Sequence, residues 1–454
     1  MKKAIALLTA CLFALSAASC GAEKPKDAET AKEKPKVEVY APGDVLSGAL
    51  EVAMISSAGY DTFINLFRAE HPGVTVDLIT FPSASTARTI LSTKIMAGDC
   101  YDIIDMWTMP QREYADSGYL VDLEPYMQSD AAFDMNDYNT NIFEAMRHKG
   151  GLYTMPSGYR CDFISINKNA PAALLEEFAA LDSIGLMQMI DMYNRSGMQN
   201  EWAMYKSPSL LFELQNDMEQ YMDFENGTCN FNTPEYVEKL KLYLDVLGVE
   251  DKAFQPTPYE PDANGVYRYN DGPLAAEYLF NDTRWDNYAL HLEYDERHFI
   301  HTIPYTGDDG AVYARPFEMH SITSFCEDKA LAWEFLKFVT SSEPQLARGG
   351  FGIPTNRAAL ENTLTWSLTN EVEYYEESGG PYPTVVEDEF IANGLALYAS
   401  LNDMPAAVHI FGGTDGASYD SIFNEELQAF VAGSSTAEQT AANLQARISI
   451  ALSE

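Results

Sequence analysis

Ser165-Ile166-Asn167-Lys168 sets a serine three residues before a lysine, the S-x-x-K spacing of the penicillin-recognising acylating enzymes. That chemistry also needs SDN and KTG elements, and neither string occurs in the chain. His298 and His301 stand three apart, but their segment reads as a strand, where that spacing points them to opposite faces rather than around one metal ion. Asp134-Met135-Asn136 opens like a calcium loop without its glycine or its closing glutamate. Gly350-Phe351-Gly352 is an unfinished phosphate cradle that lacks a third glycine and leads to Pro354. No G-x-S-x-G or Walker A string is present, and 68 acidic residues leave no carboxylate pair singled out as general acid and base. A glycan-hydrolysing pair therefore stays open by composition alone. The expectation is no catalytic residue, no metal and no cofactor. What remains is binding chemistry, in which aromatic faces, hydroxyls, amides and carboxylates meet a polar solute.

The N-terminus carries a second kind of chemistry. Lys2 and Lys3 precede an apolar run over 4–18, and Ala17, Ala18 and Ser19 lead into Cys20 and Gly21. A charged start, a short apolar core and a small-residue cleavage site read as a secretory signal, 1–19, too short to span a bilayer. A cysteine at the cleavage point resembles the lipobox of bacterial lipoproteins, which implies a diacylglycerol on the Cys20 thiol. Leu is commoner than Ala17 three places before that cysteine. Residues 20–39 are rich in Lys, Glu, Ala and Pro and poor in apolar side chains, so they are expected to form a disordered tether. The expected location is extracytoplasmic, on the outer face of the cell membrane, held by the lipid alone. A formal charge of −39 repels phosphate backbones and argues against nucleic acid as a partner. Cys100, Cys161, Cys229 and Cys326 are widely spaced, and spacing alone leaves open whether they pair or stay as buried thiols.

The elements that must position a site alternate between two periods. Strands are predicted over 50–55, 74–79 and 101–106, the last with Ile103 and Ile104 adjacent, as in a strand covered on both faces. Between them lie helices. One has Phe63, Ile64 and Phe67 on one face, and the next repeats Ala87, Ile90, Leu91, Lys94 and Ile95, capped by Ser85 and Gly98. Strand–helix–strand–helix–strand is the pattern of a parallel sheet flanked by helices. The middle, about 170–278, is mostly helical in pattern. A helix over 330–340 is apolar nearly all round, and the last opens with a Thr436/Gln439 capping box.

In this order the segments resemble the extracellular solute-binding protein family 1 of ABC importers, the maltose-binding-like group. The resemblance lies in 63–76 (FINLFRAEHPGVTV), 98–107 (GDCYDIIDMW), 114–123 (YADSGYLVDL) and 150–157 (GGLYTMPS) with Asn167-Lys168. It continues in 330–339 (ALAWEFLKFV) with Gly352-Ile353-Pro354, and in the terminal helix. The helical middle matches loosely, and 374–386 (YYEESGGPYPTVV) looks like a local elaboration. The resemblance implies a two-lobed α/β fold of the periplasmic-binding-protein type II. Each lobe would be a mostly parallel sheet flanked by helices, with a ligand cleft between them. Residues 40–160 and 304–348 would form the N-terminal lobe, and 161–303 and 349–454 the C-terminal lobe. Crossovers are expected near 155–166, 303–317 and 349–356.

Binding candidates follow from that frame. Trp107, directly after the third strand, is a stacking platform for a sugar face or else a core aromatic. Ser57 and Tyr60, after the first strand, offer hydroxyls or cap a loop. Ser157, Tyr159 and Arg160 follow the first crossover signature. Asn281, Arg284 and Trp285 (FNDTRW) lie where the family carries a ligand-touching loop, and Glu318, with His320, follows the second crossover. The expected function is a lipid-anchored receptor, monomeric and not an enzyme, that closes on a sugar or oligosaccharide and delivers it to the transmembrane subunits of an ABC permease. The alternatives are the same fold with a peptide, polyamine or other small polar solute, and a secreted glycan-degrading enzyme.

Overall fold

A computed structural model describes residues 36–55, 59–107, 109–198, 203–205, 217–224, 226–253, 278–284, 299–307, 309–348, 352–362, 388–408 and 419–453. Val37–Glu454 cluster as one unit.

The first sheet grows from β1 (Ser47–Met54), β2 (Gly73–Thr80) and β3 (Ile103–Asp105), with β1 pairing in parallel with both others. Helix α1 (Tyr60–Glu70) connects the first two and buries Tyr60, Phe63, Ile64 and Phe67, one face at helical spacing. Helix α2 (Ala84–Ala97) begins two residues earlier than Ser85 would have set it. Ser83 is the cap, accepting from the Thr86 N–H, and Gly98 ends the helix in the left-handed conformation, as expected. Strand β3 is shorter than 101–106 because the chain turns at once after Asp105, whose side chain accepts from the Trp107 N–H. Helix α3 (Gln111–Asp116) follows that turn.

The chain then crosses between two cores. Strands β4 (Met155–Arg160) and β5 (Asp162–Asn167) are separated only by Cys161. Phe163 packs in the first core and the next residue, Ile164, in the second, so a single extended stretch feeds both. The return is through β10 (Phe299–Pro304) and β11 (Val312–Ile322), an eleven-residue strand that pairs antiparallel with β3 and β4. The first sheet runs β12-β4-β11-β3-β1-β2, with β12 at Ile353–Pro354 and β13 (Ala406–Val408) parallel to β11. The second runs β10-β5-β9-β6, with β6 at Ala203–Tyr205 and β9 at Tyr278–Arg284. Both sheets are thus mixed. The parallel part of the first is β2-β1-β3, built by the helix crossovers, and the strands that pass between the cores run against it.

Two short strands, β7 (Met222–Asp223) and β8 (Thr228–Cys229), form a hairpin. Helices α4 (Leu186–Ser196) and α5 (Pro234–Ala253) lie in the middle, expected to be mostly helical, of which 199–202, 206–216 and 254–277 fall outside the described residues. Helix α6 (Lys329–Val339) buries Leu331, Trp333, Phe335 and Leu336 in the first core, with the Trp333 indole donating to Asp130 at 2.9 Å. The chain closes with α7 (Tyr419–Val431) and α8 (Ala437–Ser453), whose Ala441, Leu444 and Ile448 are buried in the second core. The capping box is present: Gln439 N donates to Thr436 Oγ1 at 3.2 Å, and Thr436 N donates to Gln439 Oε1 at 3.0 Å. The 349–454 stretch, expected to lie wholly in one lobe, divides between the cores. Ile353, Leu360, Tyr398, Leu401 and Val408 pack in the first, and Ile422 through Ile448 in the second. Cys100, Cys161, Cys229 and Cys326 are free thiols, all but Cys229 buried. His301 lies on β10 as a strand residue, and His298 is outside the described residues. No helix among the described residues is long and apolar enough to cross a membrane.

Candidate functional site

Ligands of open α/β sheets sit beyond the C-terminal ends of the parallel strands. Here that edge is the end of β1 at Met54, the turn after β3, and the part of β11 paired with β3. Four polar features converge on it.

Asp105 is the last residue of β3 and is fully buried. Its Oδ1 accepts from Trp107 N at 2.9 Å and from Met319 N at 3.2 Å, so one carboxylate ties the turn after β3 to β11. Burial pushes its pKa up to about 7, and the charge of Glu318 adds to the rise while the backbone donors of Trp107, Met319 and Ile55 oppose it. Trp107 is thereby held on a fixed turn with its side chain 37% exposed, in contrast to the fully buried Trp333. Trp107 therefore belongs to the exposed edge and not to the core.

Glu318 is buried in β11 with φ 48, a left-handed conformation in the middle of a strand. Such a backbone costs a non-glycine residue about 1–2 kcal/mol and tends to persist at functional positions. The neighbouring pairs Phe317↔Gly158 and Met319↔Pro156 flank this residue, and Ser157 Oγ donates to Glu318 Oε2 at 2.6 Å. A serine hydroxyl donating to a carboxylate fixes a hydrogen-bonding pair. His320, in register with Asp105, lies 3.4 Å through Nδ1 from the Tyr60 hydroxyl.

The other sequence candidates fall elsewhere. Tyr60 is fully buried at the start of α1, its ring against Phe63, His320 and Phe335. Tyr159 is a core residue whose hydroxyl accepts from Asn139 Nδ2 at 2.9 Å, and burial raises its pKa well above the usual value. Arg160 is exposed, its guanidinium 5.7 Å from the Phe317 ring centre. Asn281 and Arg284 lie on β9, in register with Ser165 and Asp162 of the second sheet. Ser57, Trp285 and Cys20 lie outside the described residues. The structure thus gathers Trp107, Ser157 and Glu318, joins them through Asp105, and assigns Tyr60 and Tyr159 to packing. No group of three or more His, Cys, Asp or Glu among the described residues is arranged to hold a metal ion. An exposed indole beside hydrogen-bonding carboxylates can stack on and bond a polar solute.

Asp105 lies at the end of a predicted strand, and nothing in the sequence marks it as buried. The left-handed turn at Glu318 has no signal in a strand-like sequence. Phe317, which the two glycines Gly158 and Gly352 accommodate, gave none either.

Residues 53–159, which run from the end of β1 into β4, match the family model described as bacterial extracellular solute-binding protein. Solved structures with the same fold include the sugar-binding protein MalE from Xanthomonas citri, with TM-score 0.61 and 15% identity over 89% of this chain and 98% of that one. An extracellular solute-binding protein family 1 member from Alicyclobacillus acidocaldarius aligns with TM-score 0.58 and 16% identity, over 90% of this chain and 99% of its own. A periplasmic oligogalacturonide-binding protein from Yersinia enterocolitica aligns with TM-score 0.58 and 12% identity, over 89% and 99% respectively. Residues 53–159 thus match the bacterial extracellular solute-binding protein family, and the chain around them has the two-lobed, type II periplasmic-binding-protein fold of the maltose-binding-like structures.

Proposed function

We propose that the chain is the extracytoplasmic receptor of an ABC importer, that it captures a sugar or oligosaccharide between its lobes, and that lipidated Cys20 keeps it beside its permease. The observation that carries the carbohydrate reading is Trp107, a partly exposed indole at the C-terminal end of β3, where Asp105 ties its backbone to Met319, the residue after the Ser157-paired Glu318. A flat ring for C–H faces next to a carboxylate for hydroxyls is the combination that sugars need. The names of the similar structures, which mention sugars and an oligogalacturonide, support the same reading. In it the first lobe is built on the β12-β4-β11-β3-β1-β2 sheet and takes in 353–408, while 419–453 returns to the second. Glu318, which accepts from Ser157 beside this turn, disfavours an anionic sugar such as a uronate. It also favours one second reading, a cationic solute such as a polyamine, because Glu318 presents a carboxylate there.

A thermal-shift screen against neutral oligosaccharides, oligogalacturonides, polyamines and peptides separates these readings. Stabilisation by a neutral sugar supports the proposal. Stabilisation by polyamines alone transfers the site to cations, and no shift with any carbohydrate sinks the sugar assignment.

A further inference from the structure

The two cores are joined by more than the strands that cross between them. Arg112 lies on α3, whose Tyr114 packs in the first core, on the segment that follows Trp107. Its guanidinium carbon stands 3.6 Å from the centre of the Phe224 ring, which is stacking distance for a planar cation on an aromatic face. Phe224 follows β7 and packs against the second core, where its ring meets Tyr419 of α7 edge-on at 5.7 Å. Both Arg112 and Phe224 are half-buried. The contact therefore joins a first-core helix to a second-core hairpin, with no crossover strand involved, and it lies beside the turn that carries the candidate platform.

We propose that Arg112 and Phe224 form a latch between the two lobes, a guanidinium–aromatic stack that draws the cleft together without a ligand. The proposal rests on the two-lobed trap described above, but not on the identity of the solute. A flat, delocalised cation suits this role because it stacks on the ring without a carboxylate partner and gives up little hydration. A partly desolvated stack of this kind shifts a two-state ratio by about 2- to 30-fold. The latch then sets how much of the ligand-free chain is already closed. Ligand affinity rises in proportion to that closed fraction. Tyr419, edge-on to Phe224, keeps the ring in place to receive the guanidinium.

The test is small-angle X-ray scattering on the ligand-free chain and on Arg112→Ala, Arg112→Lys and Phe224→Leu, with far-ultraviolet circular dichroism to confirm the fold of each. The radius of gyration should rise for Arg112→Ala and Phe224→Leu. Arg112→Lys, which keeps the charge and loses the planar stack, should fall between them and the parent. Superimposable scattering from all four chains would overturn the latch. Arg112→Ala changes a half-exposed side chain outside both cores, so it keeps the test readable if Phe224→Leu does not fold. Because no ligand is present, a failed sugar screen and a failed latch are distinct results.

Discussion

At the scale of single residues, Asp105 is the group whose chemistry most constrains the site. Its carboxyl pKa is raised to about 7, chiefly by burial, so the fold favours its protonated form. The sign follows from linkage: a raised carboxyl contributes its full stability below the unfolded value near 4, and that contribution fades as pH climbs through about 7. Above that pH the buried charge costs on the order of 4 kcal/mol. Asp105→Asn keeps an acceptor for Trp107 and Met319 but carries no charge. Its unfolding free energy in urea should therefore gain on the parent as pH rises from 5 to 8, and a gap that stays constant across that range would refute the buried-charge account. Trp107 makes a different prediction. Because its side chain is 37% exposed, Trp107→Ala should leave stability within about 1 kcal/mol while weakening binding of the stabilising sugar by about 10- to 100-fold in calorimetry. The reverse pattern, lost stability with retained binding, would return Trp107 to the core. Trp107 was legible from its place after a strand. Tyr159 was not legible as a core residue, because a tyrosine after a crossover has the same sequence signature whether it faces solvent or Asn139.

At the scale of elements, periodicity was legible and turns of backbone were not. The β1–α1–β2–α2–β3 unit follows from alternation and helical spacing, since each of those patterns buries one face. The antiparallel strands that make both sheets mixed were hidden, because pairing direction depends on partners far away in sequence, such as Arg315↔Arg160. The same holds for the glycines under Phe317. A Cβ on Gly352 would clash with Phe317 Cε1 and meet Tyr159 O at 3.0 Å, and its φ of +72 disfavours any side chain. One on Gly158 would meet Phe317 Cζ at 2.5 Å. Phe317 is therefore pressed onto bare backbone at the junction of β4, β11 and β12, one residue before Glu318. Gly352→Ala should cost about 2–4 kcal/mol in urea unfolding, overpacking and the left-handed backbone together. Gly158→Ala should be costly as well, and Phe317→Leu in the same chain should recover part of that loss. If Gly352→Ala unfolds at the parent's urea midpoint, Phe317 does not pack as described.

At the scale of the whole molecule, the two cores share one extended stretch of chain. The extended stretch through Cys161 passes from the first to the second, and beside it Arg315 Nη2 donates to both Asp162 oxygens, at 2.8 and 2.6 Å. Both side chains are largely buried, 15% and 5% exposed, and they link β11 of the first sheet to the start of β5 in the second. A buried pair adds little net stability over an apolar replacement, but removing one partner strands a charge at about 3–5 kcal/mol. Arg315→Met alone should thus destabilise by that amount, and Asp162→Asn added to it should restore much of the loss, a coupling readable in a double-mutant cycle. The position of the pair adds a second expectation. If it ties the moving halves at their junction, Arg315→Met should also split a single calorimetric transition into two, one for each core, because the strand shared between them has lost its anchor. A single, merely lower transition would mean that the cores stay coupled without the Arg315–Asp162 pair. The junction would then need no charge at its centre.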